Sequence, residues 1–222
     1  MGSDNLHHKR KAKAEKELSR RKSKRSSYEK ILIVCEGEKT EPNYFNEQVN
    51  HYKLNTANVA VDGKCGSSPK SVFDRAKDLA QIEERRGDAY DRVYCVFDKD
   101  SHESYAQTLV DIDNYKSNSK FIAVTSVPCF EYWLLLHFEF STKPYHASGK
   151  SSIADQVIKD LKKYIPHYSK GDNTIFMQLL DQLDFAKQNA IRANKAASND
   201  HTDNPTTLVY ELVEYLQNLR SG

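Results

Sequence analysis

Two uninterrupted apolar runs organise the chain. Ile31, Leu32, Ile33 and Val34 form the first, and Val93, Tyr94, Cys95, Val96 and Phe97 the second. Short β-branched, aliphatic and aromatic runs bounded by polar residues predict strands covered on both faces. After the first run the period changes: Tyr44, Phe45, Val49 and Tyr52 make a stripe at helical spacing. Residues 57–61 alternate and predict a short strand. Val72, Ala76, Leu79, Ala80 and Ile82 predict a helix that opens at Pro69, a residue suited to a first turn, and ends at Gly87. Tyr105, Leu109, Ile112 and Tyr115 predict a helix over residues 101–115. Residues 120–125 predict a fourth strand, and Tyr132, Trp133, Leu134, Leu135 and Leu136 an apolar helix beyond it.

Strand and helix therefore alternate four times, at spacings that suit right-handed crossovers. The expectation is an α/β fold with a doubly wound, mainly parallel four-stranded sheet. From residue 151 only helical patterns remain, at about 151–164, 174–195 and 205–219, the last with Asn204 as N-cap and Pro205 at its first position. The expected organisation is a basic arm over residues 1–28, an α/β core over 29–140, and a C-terminal helical extension over 150–220 packed on the core.

Charge sharpens this division. The 222 residues carry a net charge of +2, yet the first thirty hold eleven Lys/Arg against four Asp/Glu. The remainder is mildly acidic. An arm so basic and poor in apolar residues cannot bury a core of its own. It suits contact with a polyanion such as DNA or RNA. No apolar run approaches a membrane span. Cys35, Cys65, Cys95 and Cys129 form no CxxC pair, which predicts free thiols, no structural zinc and a cytoplasmic setting.

The candidate chemistry lies where the two apolar runs end. Glu36, Glu38 and Glu41 follow the first, and Asp98 and Asp100 the second. Bunched carboxylates repel one another unless a cation or base sits among them. If the two strands are neighbours, these groups meet at one sheet edge and suit Mg²⁺ or Mn²⁺, which prefer oxygen ligands. Glu36, Asp98 and Asp100 are the expected catalytic and metal-binding set, with Glu41 and Glu131 as further metal ligands. Lys39, Lys99 and His102 lie close by and are candidates to hold substrate. Glu38 reads as a solvated neighbour, and His137 and Trp133 as core.

Glu36-Gly37, followed two strand–helix units later by Asp98-Lys99-Asp100, resembles the Toprim fold of topoisomerases, primases and OLD-type nucleases. More closely, residues 33–45, the Pro128-Cys129-Phe130-Glu131 turn with Trp133, and Asn204-Pro205-Thr206-Thr207 resemble the RloB-like proteins. The resemblance implies a Toprim-like core and a metal-dependent nuclease of bacterial antiphage defence, associated with abortive infection and often encoded beside a partner ATPase. It implies Glu36 as the Toprim glutamate and Asp98 and Asp100 as the metal pair. Glu41 stands five residues after Glu36, where the OLD pattern has four. The sequence holds no GxxxxGK[ST] and no G-x-S-x-G, so neither a P-loop ATPase nor a serine hydrolase of that type is expected. The alternative is a regulatory or sensor subunit that binds a metal–nucleotide or nucleic acid beside its ATPase. Assembly into a homo-oligomer is left open.

Overall fold

The computed structural model describes residues 29–54, 58–99, 102–147 and 151–219. The basic arm, residues 1–28, lies outside them, as does Asp100. Strand β1 (Ile31–Cys35) is buried at all five positions. Its odd residues enter one cluster with Tyr44, Phe45, Trp133 and Leu212. Its even residues enter a second with Val72, Ala76 and Ile112. That two-sided cover is why the run shows no alternation.

After β1 come helix α1 (Thr40–His51), β2 (Val59–Asp62), α2 (Pro69–Arg85), β3 (Arg92–Asp98), α3 (Tyr105–Asn114), β4 (Lys120–Val127) and the short α4 (Glu131–Leu135). Ser68 caps α2 in a reciprocal box with Ser71, and Pro69 sits in its first turn as the sequence predicts. The C-terminal part contributes α5 (Ile153–Leu161), α6 (Ile175–Leu179), α7 (Leu183–Asn199) and α8 (Val209–Leu219). A 3₁₀ turn, Leu180–Gln182, divides α6 from α7 where one continuous helix was expected. Val157, Ile175, Ala186 and Leu212 belong to the same buried cluster as Ile31.

The sheet has five strands rather than the expected four, in the order β2-β1-β3-β4-β5. The first four run parallel. β5 (Thr206–Thr207) pairs antiparallel with Ser126 and Val127. The last helix accordingly begins at Val209 and not at residue 205. The reason is local. Asn204 does not cap a helix, because its side chain bonds the Tyr145 backbone in both directions, at 3.2 and 2.7 Å. The β-branched Thr206 and Thr207 then run extended along β4. Thr207, fully buried, accepts the Val209 N–H at 3.2 Å.

In this order the connection from β2 to β3 crosses over β1, so the direction of winding reverses between β1 and β3. The carboxyl ends of two strands at such a reversal flank a crevice, the usual ligand position in open α/β sheets. Aromatic rings fix the helix starts around it. Tyr44 of α1 meets Phe130, which precedes α4, and Phe176 of α6 edge-on, with centroids 5.4 and 5.3 Å apart.

Candidate metal centre

The turn after β1 builds one wall of the crevice. Register pairs Cys35 with Val96, which carries Glu36 alongside the end of β3. The Glu36 N–H donates to Val96 O at 2.8 Å. Gly37 follows at φ +79°, left-handed backbone that glycine adopts without a Cβ penalty. Gly63, beyond β2, packs directly against this turn: a Cβ there would lie 2.5 Å from both Gly37 O and Pro42 Cγ. Gly63 thus sits against both the Gly37 backbone and the Pro42 ring, with no room for a side chain of its own.

Four carboxylates converge on the crevice. Glu36 Oε2 accepts the Asp98 N–H at 3.0 Å, so the end of β1 is tied to the end of β3. Asp98 Oδ2 accepts the Phe130 N–H at 3.1 Å, linking β3 to the turn before α4. Glu41, in the first turn of α1, is buried. Glu131 opens α4 at 2% exposure and accepts the Tyr168 hydroxyl at 3.2 Å. A cavity of about 420 Å³ is lined by all four, with Lys39, Cys129 and Lys170 among its other walls.

Electrostatics record the crowding. Burial first, then the charges of Glu131 and Glu36, raises the Glu41 pKa to about 8. Asp98 is pushed well above the carboxylate range by burial and by Glu41, Glu131 and Glu36, against the opposing Phe130 N–H. The Cys129 thiol is raised by burial, Glu131 and Asp98, which disfavours a nucleophilic thiolate.

The other sequence candidates fall in different places. His102 Nε2 stands 3.5 Å from Glu36 Oε1, at the edge of the cluster. Lys39 is exposed and lines the cavity. Lys99 is held away, paired with Asp203 at 2.5 Å. Glu38 is exposed on the rim. His137 is buried, its Nδ1 lies 3.1 Å from Trp133 O, and burial lowers its pKa to about 4, so it is a neutral core residue.

One cation escaped the sequence reading. Lys170 Nζ reaches from the rim to within 3.5 Å of Glu131 Oε1. Burial works against its charge, but Glu131 foremost outweighs that and holds its pKa above the ordinary lysine value. Its loop is anchored on α1: Asn43 Nδ2 donates to Gly171 O at 3.1 Å, and Gly171 lies against the Lys39 side chain. No local motif marks Lys170. Only the turn-forming Gly171 after a lysine hints at a presented side chain.

The donor set is all-carboxylate, the chemistry that suits a hard divalent cation. Burial first, and the neighbouring carboxylates after it, raise both Glu41 and Asp98, a penalty on the charged forms that a bound cation would offset. The rotamers are those of hydrogen bonding rather than coordination: among the described residues, no group of three or more His, Cys, Asp or Glu side chains has its ligand atoms gathered around one point. The residues fit the ion in kind and in charge, and Glu36 and Asp98 would exchange backbone amides for it.

The crevice at the winding reversal, walled by acids that follow two parallel strands and open two helices, defines a mixed α/β protein with an acidic crevice. More particularly, the chain belongs to the RloB-like protein family, whose model matches residues 31–216. No curated protein and no solved structure matches the chain. Among the described residues, no helix is long and apolar enough to cross a membrane.

Proposed function

We propose that this RloB-like chain is a Toprim-type nuclease dependent on Mg²⁺ or Mn²⁺, cleaving phosphodiester bonds of DNA or RNA, tRNA included, in the bacterial cytoplasm as part of antiphage defence. The observation that carries the reading is the convergence of Glu36, Glu41, Asp98 and Glu131 at the carboxyl ends of β1 and β3. Glu36, Asp98, Glu41 and Glu131 would hold the ion, with Asp100 as the sequence-derived companion of Asp98. Bound there, the ion supplies Lewis acidity toward a phosphate oxygen and lowers the pKa of water. Lys170 and Lys39, on the cavity wall, orient a phosphate by charge. His102, whose Nε2 lies 3.5 Å from Glu36 Oε1, is placed to serve as a proton carrier at the edge of the cluster. The basic arm draws in the polyanion.

The test is incubation of the purified chain with DNA, RNA and tRNA in Mg²⁺ or Mn²⁺. Cleavage that is abolished in Glu36→Gln and Asp98→Asn supports the reading. Cleavage unchanged in both sinks it.

A second reading is favoured by the backbone hydrogen bonds that occupy Glu36 and Asp98. In it the same crevice binds a metal–nucleotide and the chain regulates a partner ATPase. It predicts no cleavage by the isolated chain and a stable complex with the ATPase on co-purification.

A further inference from the structure

β4 is longer than the strand that covers it. β5 pairs only with Ser126 and Val127, which leaves the outer edge over residues 120–124 with no strand partner among the described residues. Which backbone groups face outward follows from the hydrogen bonds. Lys120 N–H donates inward to Asp91 O at 2.9 Å, and Ser126 O accepts inward from Lys99 N–H at 3.0 Å. Thr125 O accepts from the other side, from Leu208 N–H at 2.8 Å. Even residues therefore bond toward β3, and Phe121 and Ala123 present N–H and C=O groups outward. Along this edge runs a groove of about 520 Å³, walled by Ile112 of α3 on one face and by Glu211 and Tyr215 of α8 on the other.

We propose that this edge pairs with its own copy, antiparallel about a two-fold axis at Ile122, so that one sheet continues across two chains. The register is self-complementary. Phe121 of each chain exchanges both backbone hydrogen bonds with Ala123 of the other, and the two Ile122 side chains meet at the axis. Charge fits the same register. Val124 and Ile122 pack toward the α8 face, so alternation puts Lys120 on that face too. Lys120 begins β4, whereas Glu211 lies in the first turn of α8, beside the strand's far end. Antiparallel pairing brings Lys120 of each chain to Glu211 of the other. A closed two-fold contact of this kind also removes the open edge that otherwise invites uncontrolled pairing. Residues 1–28 are the rival occupant, since Glu29, the first described residue, is held at 2.6 Å by Arg92, which lines this groove. Their few apolar side chains suit the groove's Ile112, Ile122 and Val124 poorly.

Sedimentation velocity of the full chain across the micromolar range tests this. The expected result is a concentration-dependent dimer. Ala123→Pro deletes an outward N–H without touching the pairing to β3 and weakens the dimer about tenfold or more. Lys120→Glu and Glu211→Lys each weaken it, and the double reversal restores it to within a few-fold. Ile122→Cys gives a covalent dimer on mild oxidation where the parent chain does not, because residues opposite at the axis lie within disulfide reach. A chain that stays monomeric overturns the proposal, whether residues 1–28 or another protein then covers the groove. A dimer indifferent to all three kinds of substitution overturns it as well.

Discussion

Glu41 is one of the two carboxyls of the site that burial and crowding displace strongly. Its folded pKa, about 8, stands above the ordinary 4.5. A carboxyl raised in this way folds best protonated. Its contribution is complete below the unfolded pKa and is lost as pH rises through about 8. In EDTA, the thermal stability contributed by this residue should fall between pH 5 and pH 8, by on the order of 2 kcal/mol. Glu41→Gln should flatten that dependence and leave the metal-free protein more stable than the parent at pH 8. Paired melting curves against pH check this, and a parent more stable than the variant at pH 8 without metal contradicts it. Lys170 is the opposite case. Its charge faces the buried carboxylate of Glu131, so Lys170→Met should lower the melting temperature modestly at neutral pH. It should weaken nucleic-acid binding or cleavage by about tenfold, the scale of one lost charge-assisted contact.

Among the elements, the turn after β1 carries the greatest geometric constraint. A methyl group at Gly63 has nowhere to go, because it would meet Gly37 O and Pro42 Cγ at 2.5 Å. Gly63→Ala should therefore cost about 1–3 kcal/mol in urea unfolding, in the range of overpacked sites, and should lower metal affinity by displacing Glu36. Gly87→Ala serves as comparison: its positive φ imposes strain, but nothing lies within 4 Å of the added Cβ. The same scale explains what the sequence reveals. β1 and β3 are legible because strands buried on both faces write continuous apolar runs, and polar residues at their ends stand out. Their adjacency makes Glu36 and Asp98 neighbours, which the runs alone left conditional. β5 is illegible, since two residues cannot display a period, and Asn204 looks like a helix cap until Tyr145 claims its side chain. Lys170 was hidden for another reason. A contact with Glu131 made through a loop anchored on Asn43 leaves no trace in local spacing.

For the molecule as a whole, the site belongs to both halves of the chain. Glu36, Glu41 and Asp98 come from the sheet half, while Tyr168 and Lys170 come from the helical part, and one buried cluster joins the two. Binding of Mg²⁺ or Mn²⁺ should therefore raise the melting temperature of the entire fold in a single transition. Asp98→Asn should abolish that rise, and scanning calorimetry distinguishes one transition from two. The edge-on rings of Tyr44, Phe130 and Phe176 carry a further consequence. They brace the starts of α1 and α4, so Glu41 and Glu131 cannot ease their repulsion by drifting apart. The cluster can discharge only by exchanging one positive partner for another. At neutral pH an incoming divalent ion must then expel about one proton to solvent. The apparent binding enthalpy in calorimetry would vary with the ionisation heat of the buffer, which makes the site a proton–cation exchanger whose affinity climbs with pH.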